Sequence, residues 1–267
     1  MFMVLAIAQR MRAQPCFTRI PRNAGVAVIM GAMIAIRPAV VFAYDCPPPR
    51  QPSALPITEI SQKAPDNIDG RKQQLKEYQK TNYELDIAAV ISDARAYIER
   101  RASQVRKPAL VLDIDETSLS NWQNLLANDF GFIPDGPCNR LPSGPCGFND
   151  WKLNNIAPAI AATKMLFDAA IEKGVAVIFI TGRRDSERKA TMWNLDRAGF
   201  EGWAKLITRP DSDTDLSIIK FKSGARKKME TEDHYTIIAN VGDQESDLAG
   251  EVAECKFKMP NPFYYIP

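Results

Sequence analysis

The stretch Ala109-Leu110-Val111-Leu112-Asp113-Ile114-Asp115-Glu116-Thr117 sets the organisation of this chain. Four apolar residues follow the break at Pro108, a pattern typical of a short strand buried on both faces. Two carboxylates, Asp113 and Asp115, stand where that strand ends. The sequence before it predicts a helix over Glu84–Arg101, because its apolar residues recur at three- and four-residue spacing.

Helices and strands alternate along the rest of the chain. The predicted elements are, in order, a helix over Pro158–Lys173, a strand over Val175–Ile180, a helix over Ser186–Ala198, a strand over Lys205–Thr208, a helix over Ser223–Glu230, a strand over Tyr235–Val241, a short helix over Glu245–Ala249 and a strand over Cys255–Met259. This alternation predicts an α/β fold with a doubly wound parallel sheet, which binds ligands beyond the carboxyl ends of its strands. Residues 117–156 are rich in proline, glycine and aromatic residues, and predict a small, irregular, cap-like insertion over those ends.

The composition excludes several classes of protein. The 267 residues are 45% hydrophobic and 25% charged, which is ordinary for a globular chain. Lys and Arg number 34 against 32 Asp and Glu, and a formal charge of +2 gives no reason to expect a nucleic-acid polymer as partner. A single histidine, His234, cannot build a multi-histidine zinc site or a paired-histidine phosphatase. We expect His234 to lie in a surface turn.

The first residues have the pattern of an export signal. Residues 1–43 hold five arginines and no acidic residue, and an apolar run ends in Val41-Phe42-Ala43. This predicts a signal peptide cleaved after Ala43 and a secreted or periplasmic chain that leaves the membrane after cleavage. The alternative is an uncleaved anchor, but Arg37 and Pro38 interrupt the run. A proline-rich arm at 44–65 and a domain at 66–267 follow.

Four cysteines remain after the predicted cleavage site, and an even number in an exported chain favours disulfides. Cys138 and Cys146 lie in one Pro/Gly-rich loop, so we expect them to pair. Cys46 and Cys255 would then tie the arm to the last strand. Free buried thiols remain the alternative, chiefly for the second pair.

Carboxylates follow two of the predicted strands. Asp113 and Asp115 come after the first strand, and Asp243 comes after the strand over Tyr235–Val241. Because the carboxyl ends of parallel strands meet at one edge of a sheet, these residues form an all-oxygen set that suits Mg²⁺. The alternative is a solvated acidic turn. Asp247, one helical turn after Asp243, faces either the water around that ion or a lysine.

Two further segments offer groups for a phosphate. Thr181 and Gly182 supply a hydroxyl and a closely approachable backbone N–H at a predicted strand-to-helix turn, although Thr181 could also cap the helix. Lys222, predicted near the start of a helix, offers a positive charge to an aspartate nucleophile and a phosphoryl group. Lys220 is the rival for this role, and a surface lysine is the alternative for both.

Four motifs together resemble a known family. Asp-Ile-Asp-Glu-Thr, Ile-Thr-Gly-Arg, Phe-Lys-Ser-x-x-Arg and Gly-Asp-Gln-x-Ser-Asp-Leu occur in this order. They resemble the motifs of the haloacid dehalogenase (HAD) superfamily, and most closely the subfamily IIIB acid phosphatases, which include bacterial class C acid phosphatases and plant vegetative storage proteins. The resemblance runs from about Tyr83 to Tyr265 and implies a HAD-like Rossmannoid fold.

The resemblance also implies a role for each motif residue. Asp113 resembles the nucleophile that forms an aspartyl-phosphate, and Asp115 resembles the general acid/base whose backbone carbonyl is a usual metal ligand. The remaining correspondences are Thr181 with the phosphate-binding residue, Lys222 with the motif III lysine, Asp243 with the motif IV metal ligand and Asp247 with that ligand's companion.

These observations predict a Mg²⁺-dependent acid phosphatase that hydrolyses small phosphomonoesters through an aspartyl-phosphate. The alternatives are a phosphotransferase, a non-catalytic storage or binding protein, and a 5′-nucleotidase whose base stacks on Trp122, Phe148 or Trp151, although such rings more often belong to a core. A dehalogenase does not need the carboxylate set, and no arginine closes a phosphate loop after a cysteine. Whether the chain forms a homodimer is left open.

Overall fold

Five parallel strands form one sheet among the residues that the computed structural model describes, which are 44–53, 67–154, 156–213 and 217–266. The predicted signal peptide at 1–43 and most of the predicted arm at 44–65 lie outside these residues. The strands are β1 (Pro108–Leu112), β2 (Ala176–Arg184), β3 (Lys205–Arg209), β4 (Thr236–Gly242) and β5 (Cys255–Lys258), in the order β3-β2-β1-β4-β5. Every neighbouring pair is parallel, so the predicted α/β class is confirmed.

Helices cover both faces of this sheet. They are α1 (Ile68–Thr81), α2 (Tyr83–Arg101), α3 (Trp122–Ala127), α4 (Phe148–Leu153), α5 (Ala161–Glu172), α6 (Arg188–Arg197), α7 (Ile218–Thr231) and α8 (Glu245–Leu248). Leu110 and Leu112 of β1 join the larger hydrophobic core, which α2 and α5 also build. Ala109 and Val111 point the other way and pack with Met229 of α7. A strand buried on both faces explains why β1 is a continuous apolar run, and the doubly wound arrangement is confirmed.

Two of the wrongly predicted boundaries concern the site. The strand predicted to end at Ile180 continues as β2 to Arg184, because Arg184 still pairs with Arg209 of β3 after a register shift. The helix predicted to begin at Ser223 begins at Ile218, where the Ser217 side chain accepts a hydrogen bond from the Lys220 backbone and caps it. Thr181 and Gly182 therefore lie in a strand, and Lys222 lies in the second turn of a helix.

Helix α1 has no counterpart in the sequence prediction. Asn67 caps it by accepting hydrogen bonds from the backbone N–H groups of Asp69 and Gly70. Its only buried residue is Tyr78, so it lacks the apolar stripe by which helices are recognised in a sequence.

The insertion at 117–156 is more regular than predicted, because it contains α3 and α4. Trp151 of α4 is completely buried, and Trp122 packs edge-on against Phe130 and at a tilt against Phe263. These two tryptophans therefore belong to the core that holds the insertion on the sheet. Phe148 instead lines a cleft at the strand ends.

Both expected disulfides form. Cys138 and Cys146 close a loop within the insertion, and Cys46 is bonded to Cys255 of β5. The arm around Cys46 also packs on α2, where the Arg50 guanidinium binds Asp93. Within the described part of the chain, no helix combines the length and the hydropathy that a membrane crossing requires.

We expect the Cys46–Cys255 bond to stabilise the fold more than the Cys138–Cys146 bond, because it restrains a much longer loop of the unfolded chain. The sequence separations are 209 and 8 residues. Loop entropy gives about 5 kcal/mol for the first bond and about 2.5 kcal/mol for the second. Urea unfolding of the C46S/C255S and C138S/C146S double variants measures both values. Equal losses, or a larger loss for the short loop, would contradict this account.

Candidate active site

Three aspartates meet at the carboxyl edge of the sheet. Asp113 follows β1, Asp243 follows β4, and Asp247 lies in α8, and each offers an oxygen within 4.8 Å of the others. All three side chains are buried. The neighbouring strands β1 and β4 run parallel, so their ends deliver Asp113 and Asp243 to the same place, and the tight turn into α8 returns Asp247 to them. These three carboxylates are the residues that could hold a metal ion.

Lys222 supplies a positive charge to this cluster. Its Nζ lies 2.5 Å from Oδ1 of Asp113 and 2.5 Å from Oδ1 of Asp247. Burial opposes the charged lysine, but the two carboxylates outweigh it and raise its pKa. Lys220, the rival in the sequence analysis, is exposed.

Negative charge exceeds positive charge in the cluster. Burial and the charges of Asp247 and Asp243 raise the pKa of Asp113 well above its ordinary value, although Lys222 lowers it. Burial and Asp247 raise the pKa of Asp243 to about 6. Three carboxylates beside one ammonium group form a set of hard oxygen ligands with a deficit of positive charge, which fits a divalent cation.

Hydrogen bonds hold the carboxylates of β4 and α8 in place. Asp243 accepts from the Thr117 hydroxyl at 3.0 Å, from Gln244 Nε2 at 2.7 Å and from Asn261 Nδ2 at 2.8 Å. Oδ2 of Asp247 accepts from the Gln244 backbone at 2.8 Å. The sequence analysis assigned no role to Gln244 or Asn261. Gln244 belongs to the fourth motif, and Asn261 lies within the range of the resemblance, so these were the available signals.

Asp115 stands apart from these three aspartates. Its carboxylate binds Arg183, with Nη2 at 2.7 Å from Oδ1 and Nε at 3.1 Å from Oδ2, and Oδ1 also accepts from Asn121 at 3.0 Å. Although burial favours the neutral acid, Arg183 outweighs it and lowers the pKa of Asp115 to about 2. The free protein therefore holds Asp115 as a carboxylate.

A cleft of about 310 Å³ opens over the aspartates. Asp113, Asp115, Gly182 and Lys222 lie at its base, while Phe132 and Phe148 of the insertion form one wall. Thr181 is buried, and its hydroxyl oxygen accepts from the Arg183 backbone at 3.1 Å. Six of the predicted site residues line this cleft, namely Asp113, Asp115, Gly182, Lys222, Asp243 and Asp247, whereas Thr181 does not. The roles of Thr181 and Gly182 in phosphate binding, and of the Asp115 carbonyl in metal binding, stay predictions.

Comparison with known proteins identifies the family. Residues 61–267 match the family described as HAD superfamily, subfamily IIIB (acid phosphatase). The chain belongs to this family. The family resemblance predicted from the four motifs is confirmed, and membership places the chain among the phosphomonoester hydrolases.

Two relatives and one solved structure illustrate this acid phosphatase family. The chain is 32% identical over 186 residues to acid phosphatase 1 of Solanum lycopersicum, covering 69% of each chain. It is 32% identical over 176 residues to the stem 28 kDa glycoprotein of Glycine max, covering 64% of this chain and 66% of that protein. The class C acid phosphatase from Bacillus anthracis superposes with a TM-score of 0.57 at 21% identity, over 73% of this chain and 86% of that one, and shares the fold.

A substitution at Gly242 tests whether the activity of this acid phosphatase family member depends on the observed position of Asp247. A Cβ at this position would lie 2.3 Å from Cβ of Asp247, so Gly242→Ala must displace that aspartate. We expect kcat/KM for an aryl phosphate to fall on the order of 10²-fold, because displacements near 1 Å have effects of this size.

Gly224→Ala is the matched control, because no atom lies within 4 Å of its added Cβ on helix α7. It should keep full activity and raise stability by about 0.5–1 kcal/mol. Steady-state kinetics and thermal unfolding of both variants provide the comparison. Unchanged activity in Gly242→Ala would show that Asp247 does not need its observed position.

Proposed function

We propose that this chain is a Mg²⁺-dependent acid phosphatase that hydrolyses small phosphomonoesters in two steps through an aspartyl-phosphate on Asp113. The observation that carries the proposal is that Asp113 and Asp115 line the same cleft but have different partners. Asp113 belongs to the buried cluster around Lys222, whereas Asp115 is turned away from that cluster by Arg183. One carboxylate is thereby placed to attack, and the other to transfer a proton.

In the first step, an oxygen of Asp113 attacks phosphorus, and the bond from phosphorus to the leaving oxygen breaks. Oδ1 of Asp113 is bound by Lys222, and no hydrogen bond from a described residue reaches Oδ2, which leaves that oxygen to act as the nucleophile. Lys222 stabilises the negative charge on Asp113 and on the phosphoryl oxygens. Mg²⁺ held by Asp113, Asp243 and Asp247, with the predicted help of the Asp115 carbonyl, would supply further positive charge there.

Asp115 is proposed to move the protons. It gives a proton to the leaving oxygen in the first step and takes one from the water that hydrolyses the acyl phosphate in the second. Because its pKa is lowered, Asp115 is ionised in the free protein, which is the form that can accept a proton in the second step. For the first step, a phosphoryl dianion beside Asp115 would raise the pKa of its carboxyl group by charge repulsion. A phosphomonoester also carries its own second proton below about pH 6, which favours activity at acid pH.

The aromatic wall of the cleft, formed by Phe132 and Phe148, indicates which leaving groups the cleft favours. Of the three rings considered in the sequence analysis, only Phe148 lines the cleft, and there it packs against Phe132 with 5.9 Å between ring centroids. This wall favours leaving groups with a flat apolar part, which keeps the 5′-nucleotidase alternative open. Phosphate release from nucleoside monophosphates, aryl phosphates and glycerol phosphate would separate these substrate classes.

Export to an oxidising compartment is part of the proposal. The two disulfides support it, since such bonds persist mainly outside the cytosol. The signal peptide at 1–43 stays a prediction.

Asp113→Asn should abolish turnover, by at least about 10³-fold, because an amide oxygen is a poor nucleophile toward phosphorus. Acid quenching with ³²P-labelled substrate should leave label on the wild-type chain and none on the variant. Asp168→Asn on the surface of α5, whose exposed ion pair with Lys164 contributes little, is the control. Wild-type turnover by Asp113→Asn would show that Asp113 is not the nucleophile.

Metal binding should stabilise the fold more at pH 7.5 than at pH 5. Without a cation, the raised pKa of Asp243 makes the folded state lose stability as pH rises from about 4 to 6, because the unfolded carboxyl group releases its proton first. A divalent cation binds the ionised carboxylates, so its stabilising effect grows over the same interval.

Thermal unfolding of EDTA-treated protein with and without added Mg²⁺ measures this effect. The unfolding temperature should rise with Mg²⁺ at pH 7.5, rise less at pH 5, and show no Mg²⁺ dependence in Asp243→Asn. Equal shifts at both pH values, or a full shift in the variant, would contradict a metal site at these aspartates.

A further inference from the structure

We propose that Asn121 is a positioning residue for Asp115, through which the insertion aims the carboxylate that transfers protons. The proposal rests on the acid/base role proposed above for Asp115. Asn121 does not line the cleft, so any effect it has on the reaction must pass through its hydrogen-bond partners.

Asn121 is buried, with 2% of its surface exposed, and both ends of its amide are bonded. Its Nδ2 donates to Oδ1 of Asp115 at 3.0 Å and to Oε2 of Glu116 at 2.9 Å, which uses both hydrogens. Its Oδ1 accepts from Nε1 of Trp151 at 2.7 Å. Indole N–H is only a donor and the ionised Asp115 carboxylate is only an acceptor, so the amide has a single favourable orientation, with its donors toward Asp115.

Glu116 fixes the position of Asn121 from the other side. Its Oε1 accepts from the Asn121 backbone N–H at 2.6 Å, and its Oε2 also accepts from the Tyr264 hydroxyl at 2.6 Å. The backbone at Glu116 has φ of 55°, and its N–H donates to the Leu119 carbonyl at 2.8 Å. The loop from Asp115 to the start of α3 is therefore held by one set of hydrogen bonds, with Asn121 at its centre.

This network determines which oxygen of Asp115 faces the substrate. Oδ1 accepts from both Arg183 and Asn121, whereas the nearest donor to Oδ2 is Arg183 Nε, at 3.1 Å. The Asp115 side chain is 21% exposed to the cleft, compared with 8% for Asp113. Arg183 is itself buried and also donates to the Thr191 hydroxyl at 3.4 Å, so it holds the carboxylate from one side. A second donor from a different element holds the carboxylate from another side and keeps Oδ2 toward the cleft.

Through Asn121, the insertion would help to orient Asp115 as well as cover the cleft. Trp151 belongs to α4, the same short helix that carries Phe148 into the cleft wall. Its ring is completely buried, so its N–H can reach Asn121 only while α4 is packed on the sheet. The position of the cap and the aim of Asp115 are thus linked by two hydrogen bonds.

Leaving-group dependence tests the inference, because a misaimed proton donor harms only substrates that need the proton. We would measure kcat/KM, which reports on the phosphorylation step, for phenyl phosphate and for p-nitrophenyl phosphate. Asn121→Ala should lower the value for phenyl phosphate on the order of tenfold, a fraction of the roughly 10²–10⁴-fold that general acid catalysis contributes. The value for p-nitrophenyl phosphate, whose leaving group departs as a stable anion, should fall much less.

Asn124→Ala is the matched control. Asn124 is also a buried asparagine, with 4% exposed, and lies in α3, but its Nδ2 donates to the Cys146 carbonyl and not to the site. It should leave the ratio of the two kcat/KM values unchanged. Trp151→Phe, which removes only the indole N–H and part of the ring, should shift the ratio in the direction of Asn121→Ala. Thermal unfolding checks that each variant is folded. If Asn121→Ala does not fold, Trp151→Phe is compared with the control instead.

The Asp115→Asn background separates this inference from the proposed function. Asp115→Asn should itself lose much more activity on phenyl phosphate, and adding Asn121→Ala to it should not change the ratio further. If Asp115→Asn alone leaves the ratio unchanged, the acid/base role of Asp115 is wrong, and the inference falls with it. If Asp115→Asn shifts the ratio but Asn121→Ala lowers both values equally, or still shifts the ratio in that background, only the positioning role is overturned.

Discussion

The contact of Lys222 with Asp113 and Asp247 is the interaction on which the site depends. Burying one carboxylate is unfavourable, and burying three within 4.8 Å of one another is far more so unless positive charge accompanies them. Lys222 supplies one charge from inside α7, where the capped start at Ile218 sets its position. The remaining excess of negative charge is why these three carboxylates fit a divalent cation.

The sheet explains why residues far apart in the sequence share this environment. Parallel strands deliver their carboxyl ends to one edge, so the aspartate after β1 and the aspartate after β4 are neighbours by topology. That is why the alternation of strands and helices predicted the class of fold, and why the segments before Asp113 and Asp243 predicted that these two aspartates would meet. The predicted carboxylate set included Asp115, whereas the structure places Asp247 beside the other two. Helices α2 and α5 were also predicted, because they bury wide apolar faces. Helix α1 buries only Tyr78, and its polar sequence concealed it.

What the sequence did not reveal is the network of hydrogen bonds behind the carboxylates. Arg183 was visible only as part of a motif, and Asn121 and Tyr264 were not identified at all, because nothing in the periodicity of a loop says where its side chains point. Their partners are fixed by tertiary packing, as when Trp151 of the insertion reaches Asn121 at 2.7 Å. The boundary errors at Ile180 and Ser223 have a similar origin, since pairing with β3 and a cap at Ser217 outweighed the local turn signals.

The segment after β5 returns beneath the site. Asn261 donates to Asp243, Tyr264 donates to Glu116, and the Ile266 backbone donates to Gln244. These donors are synthesised after every strand of the sheet. A nascent chain whose residues 261–266 are still inside the ribosome therefore lacks all three donors. Proteolytic removal of the same six residues would take the donors away without removing any strand of the sheet.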